Sequence, residues 1–145
     1  MSCNGRNPYA KSIVRVYNNA PQTFTTDPVT TLALEGAAVA DCGCSLRLNA
    51  ASIQVVKSGL YHFSADVTFT PTTAGDAVIQ LYKDGVALPC AISTQTVVAG
   101  SVYTTHVETD LVINTCCISC PVISLRAGGV DGTVNHVCVG ALKLA

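Results

Sequence analysis

The stretch from Leu60 to Thr70 constrains the fold more than any other. Tyr61, Phe63, Ala65, Val67 and Phe69 alternate there with His62, Ser64, Asp66 and Thr68. An extended chain points successive side chains to opposite sides, so one face of this segment is apolar and the other polar. The segment Ser101 to Asn114 repeats the pattern, with Tyr103, Val107, Leu111 and Ile113 set against His106, Glu108 and Asp110. A strand with one apolar face must bury it against another layer. Tyr61, Phe63, Val67, Phe69, Tyr103, Val107 and Leu111 are therefore expected to lie buried between two sheets.

Further strands are expected at Ser12 to Tyr17, Cys44 to Asn49, Ser52 to Val56, Asp76 to Lys83, Val86 to Ile92, Val122 to Arg126 and Thr133 to Leu144. Turn residues separate them: Ser58-Gly59, Ala74-Gly75, Ala99-Gly100 and Asp131-Gly132. Asp84-Gly85, between two apolar runs, is the strongest hairpin signal. In Thr30 to Val39, Leu32, Ala33, Leu34, Ala37 and Ala38 favour helix, but Gly36 costs about 1 kcal/mol against Ala, so a loop or short strand is expected. Many short strands with regular punctuation describe an all-β sandwich or barrel. Residues 1–10 contain Gly5, Asn7 and Pro8 and read as an arm. Residues 11–145 read as a single domain.

Composition narrows the function classes. Of 145 residues, 49% are hydrophobic and 12% charged, which suits a packed or assembly-forming protein. The net charge is −1 and Lys and Arg nowhere cluster, which disfavours a nucleic-acid partner. The uncharged run between Asp110 and Arg126 contains Asn114 and Pro121 and falls short of the ~20 apolar residues of a membrane span. The opening MSCNGRNPYA has no apolar core of a classical secretion signal.

The segment Ile53 to Phe69, with Gly59-Leu-Tyr-His-Phe-Ser-Ala65 inside it, resembles the C1q/TNF-like jelly-roll family, and so does the hairpin Gln80-Leu-Tyr-Lys-Asp-Gly85. The resemblance is good over Ile53 to Leu88 and extends loosely to Leu144. Asn19-Ala-Pro-Gln22 and the closing strand Val137 to Leu144 are similar to small bacterial and phage members. The resemblance implies a two-sheet antiparallel jelly-roll sandwich of about ten strands that associates as a homotrimer. It also implies occurrence in spore-surface proteins and in phage head fibres or decorations. The chain departs from the family in its cysteine load, and no Gly-X-Y stalk is present.

Eight cysteines, Cys3, Cys42, Cys44, Cys90, Cys116, Cys117, Cys120 and Cys138, are all disulfide candidates. Cys117-Ile-Ser-Cys120 has redox spacing, but it lies between strands and before Pro121 instead of opening a helix. Cys42 and Cys44 could join Cys117 and Cys120 in a tetrahedral zinc site if their loops meet. Loop disulfides or buried thiols are the plainer readings.

His62, His106 and His136 fall on the polar side of their strands. The family resemblance makes these strands neighbours in the sheet that faces a threefold axis. Pairing then places His106 and His136 near Asp66, in a cluster with Glu108. His62, Asp66, His106, Glu108 and His136 are accordingly the expected oligomer interface. Its histidines suit pH sensing or, for Asp66, His106 and His136, a metal on the axis; solvated surface histidines are the plainer reading.

No Ser-His-Asp set, Gly-x-Ser-x-Gly elbow or phosphate-binding loop is legible, and Gly128-Gly129 precedes a strand instead of a helix. No catalytic residue or cofactor is expected. The chain reads as a non-enzymatic structural protein of a virion or of a spore or cell surface, with itself and a capsid or spore-coat protein as partners. A receptor- or carbohydrate-binding module and a cysteine-cross-linked fibre subunit are the alternatives.

Overall fold

In a computed structural model, which describes residues 12–34, 38–41, 45–115 and 120–145, the alternating segments pair into two sheets. The strands are β1 (Ile13–Asn18), β2 (Gln22–Phe24), β3 (Thr30–Thr31), β4 (Ala38–Asp41), β5 (Leu46–Asn49), β6 (Ser52–Val55), β7 (Gly59–Pro71), β8 (Gly75–Lys83), β9 (Val86–Val97), β10 (Tyr103–Ile113), β11 (Val122–Gly128) and β12 (Gly132–Lys143). The first sheet has the order β10-β7-β12-β1-β4, with β2 also on β12. The second has the order β5-β6-β11-β8-β9, with β3 on β11. All pairings are antiparallel. This is the expected jelly-roll sandwich, with twelve strands among the described residues where about ten were expected. Three of the twelve, β2, β3 and β4, are short pieces whose two to four residues carry no legible alternation. Part of the Thr30 to Val39 segment is thus strand. The 1–10 arm lies outside the described residues.

Burial follows the period of two. On β7, Tyr61, Phe63, Val67 and Phe69 are fully buried, whereas Asp66 is exposed. The aromatic rings pack in two groups. Phe24 meets Phe69 edge-on with centroids 5.9 Å apart, Phe69 stacks on Tyr103 at 5.8 Å, and Tyr61 stacks on Phe63 at 6.1 Å. The second sheet supplies Ile53, Ile79, Leu81, Ile123 and Leu125 to the same core. Val107 is buried as expected, but Tyr103 and Leu111 are only half-buried. The reason is position: β10 ends its sheet, so no further strand of that sheet covers their outer flank. Tyr61 keeps its buried hydroxyl satisfied by donating to the Lys57 carbonyl at 2.7 Å.

Two details set which side chains reach the surface. Asp84 and Gly85 take φ of 51° and 79°, which closes the β8–β9 hairpin as the sequence pattern predicts. In β12 a bulge falls between Val134 and His136. It changes the parity of the strand, so that Val134 and then Val137, Val139 and Ala141 all face the core. His136, Cys138, Gly140 and Leu142 are left on the exterior.

Candidate functional site

The exterior of the first sheet gathers most of the expected residues. The registers of β1, β12, β7 and β10 align as rows across the strands. One row is Tyr17, Cys138, Asp66 and His106; the next is Arg15, Gly140, Ser64 and Glu108; the third is Ile13, Leu142, His62 and Asp110.

The rows explain a five-residue polar chain. His106 Nδ1 lies 2.7 Å from Asp66 Oδ1, and its Nε2 lies 3.3 Å from Glu108 Oε2. His62 Nδ1 lies 2.5 Å from Asp110 Oδ1, and its Nε2 lies 3.6 Å from the same Glu108 oxygen. Asp66 faces His106 directly and Asp110 faces His62 directly, while Glu108 sits between the two imidazoles. Ionised carboxylates only accept hydrogen bonds. Both ring nitrogens of His106 therefore donate best when the ring is protonated. The hydrogen bond to Asp66, and next that to Glu108, raise the His106 pKa above its usual 6.5 against a smaller opposing effect of burial.

The structure brings Asp66, His106, Glu108 and His62 together and adds Asp110. It does not bring His136 into this group. The β12 register places Cys138 opposite Asp66 and His136 opposite Thr68. The His136 ring instead bonds the Asn19 side-chain oxygen and tilts toward Tyr17, with centroids 6.4 Å apart. Among the described residues no set of three His, Cys, Asp or Glu side chains is arranged to hold a metal. Within one chain Asp66, His106 and His136 do not form such a set. Cys90, Cys120 and Cys138 are free thiols. Cys3, Cys42, Cys44, Cys116 and Cys117 lie outside the described residues, and with them the zinc grouping and the cross-linking arm.

Two residues of this face were not singled out from the sequence. Arg15 leans over Gly140, where an added Cβ would stand 3.8 Å from Arg15 Nε and 3.3 Å from Ser64 Oγ. The missing side chain leaves a hollow lined by Ile13, Arg15, His62, Ser64, Gly140 and Leu142. These residues come from three strands far apart in the chain, so no local motif announces them.

The His106 cluster yields a pH prediction. A raised folded-state pKa contributes stability that is fully present below 6.5 and is lost as pH rises through the folded value. His106→Gln should therefore lower the thermal midpoint more at pH 5.5 than at pH 8.5. Half-exposed ion pairs are screened, so added salt should shrink the difference. Equal effects at both pH values in low-salt thermal denaturation would show that the cluster does not stabilise the fold.

Solved structures share the architecture. The globular domain of zebrafish complement 1qA protein superposes with a TM-score of 0.67 and 9% identity, covering 93% of this chain and 98% of that one. The fold is a C1q/TNF-like jelly roll. Murine APRIL matches this jelly roll with a TM-score of 0.66 and 12% identity over 93% of this chain and 100% of that one. PRD1 vertex protein P5 matches with a TM-score of 0.58 and 19% identity over 92% and 97%. No family model matches the sequence, and no curated protein is similar to it in sequence. The C1q/TNF-like frame explains why β7, β10 and β12 lie side by side although β12 is the last strand in the chain.

Proposed function

We propose that this chain is a non-enzymatic structural protein: a self-associating jelly-roll subunit of a phage virion, as head fibre or decoration, or of a spore surface. The observation that carries this reading is the exterior of the first sheet. At one end of it Ile13, Leu142, Leu144, Leu60 and Val112 form an apolar band across four strands, with Val112 71% exposed. Beside the band lies the charged grid of Arg15, Asp66, His106, Glu108 and Asp110. An apolar band flanked by directional polar groups is the make-up of an interface between copies. The resemblance to C1q/TNF-like proteins supports three copies, and the shared fold with a virus vertex protein supports the virion setting.

Carbohydrate binding is less well supported. Sugar sites offer open aromatic faces, but one face of Tyr82 is covered by the Arg126 guanidinium, 4.3 Å from the ring centroid. Phe24, Tyr61, Phe63 and Phe69 are buried.

Sedimentation and native mass at micromolar concentration, with and without reductant, test the reading. Three copies are expected in both conditions if the sheet face holds them together. Only monomer would refute it, and multimers that vanish with reductant would favour a cross-linked fibre.

A further inference from the structure

On β1, β7 and β10 of the first sheet the outward charges are segregated by strand. Arg15 stands on β1, whereas Glu108 and Asp110 stand on β10, with Asp66 beside them on β7. Arg15 and Glu108 occupy one row with Gly140 and Ser64 between them. Three strand spacings of about 4.8 Å separate the two by about 14 Å, well beyond pairing distance. On this face the ion pairs join histidines to carboxylates, and Arg15 is in none of them. The carboxylates outnumber their histidine partners, three to two. The sheet thus carries a cation on β1, one strand in from its β4 edge and beside an open hollow, and surplus anions on β10 and its neighbour β7.

A ring of identical subunits brings two different patches of each copy together. Resting on the self-association reading above, we infer that the hollow beside Arg15 receives the acidic β10 edge of a neighbouring copy, with Arg15 of one copy paired to Glu108 of the next. Gly140 and Ser64 keep the floor of the hollow low enough for a carboxylate to reach the guanidinium. An Arg–carboxylate pair also fixes register, because its two parallel hydrogen bonds tolerate little rotation. The pair would orient an interface whose apolar band supplies area without direction.

Charge reversal tests this. Arg15→Glu, Glu108→Arg and the double variant are compared with wild type by sedimentation at pH 8 and low salt. Each single reversal sets like charges against each other and should weaken association about tenfold or more. The double variant restores opposite charges and should return to within a few fold of wild type. Arg15 is exposed and in none of these ion pairs, so Arg15→Glu should hardly move the thermal midpoint under monomeric conditions, whereas Glu108→Arg also breaks the contacts with His106 and His62 and should lower it. Wild type that is associated, with single reversals that change nothing, would refute the pairing and leave self-association standing. Monomeric wild type would refute the underlying reading. Asp41 lies opposite Ile13 on β4. A loss of monomer stability in Arg15→Glu that Glu108→Arg does not repair would place the partner of Arg15 within its own chain, and would overturn the inference.

Discussion

Replacing Phe63 with alanine is expected to cost about 3–5 kcal/mol of unfolding free energy. Phe63 has no exposed surface, stacks on Tyr61, and sits on a strand paired on both sides, with Thr109 across β10 and Ala141 across β12. Alanine keeps the strand and its ladder, so the loss is the ring's burial plus the cavity left behind. Because β7 is clamped from both sides, the surroundings can collapse little into that cavity. In a domain of this size the thermal midpoint should fall by on the order of 10 °C. Urea unfolding checks this, with an unchanged slope indicating the same unfolded state. Phe63→Leu should cost distinctly less. A loss below about 1 kcal/mol for Phe63→Ala would mean that the two sheets are not packed on this ring.

Gly129→Ala is the second large effect, and its cause lies in the main chain. Gly129 turns the chain from β11 into β12 with φ of +83°, and a Cβ there would stand 2.1 Å from the Asp76 carbonyl oxygen. The left-handed conformation costs an L-residue about 1–2 kcal/mol. The overlap with a backbone atom can be relieved only by moving β8 or the turn, at a further cost of about 1–3 kcal/mol. The total is about 2–5 kcal/mol. Gly100→Ala separates the two causes, because Gly100 has φ of +86° but nothing within 4 Å of the added atom. Denaturation should show Gly129→Ala losing clearly more than Gly100→Ala. Equal losses would mean that the close approach to Asp76 is not a constraint.

Much of the architecture was legible locally. The alternation in Leu60 to Thr70 and Ser101 to Asn114 states which side chains are inside, and Asp84-Gly85 states where a hairpin closes. These are short-range properties, determined by the geometry of one extended strand or one turn. The misjudged details are those in which neighbouring strands intervene. Tyr103 and Leu111 carry the right period, yet the edge position of β10 leaves them half-covered. The candidate site divides in the same way. That His62, His106 and Glu108 face outward followed from parity. That His106 meets Asp66, while His136 turns to Asn19, depended on the relative register of β7, β10 and β12 and on the bulge at Asn135.

The sequence by itself determined the strand pattern, the aromatic interior and the outward side of His62 and His106, because alternation is a property of a single strand. The tertiary structure decided which outward residues share a row. Arg15, Ser64, Glu108 and Gly140 lie on four strands spread from one end of the chain to the other. They align only because the jelly roll returns β12 between β1 and β7. Whether a carboxylate finds an imidazole or an arginine is settled by that long-range register, where a shift of one residue reverses every side chain.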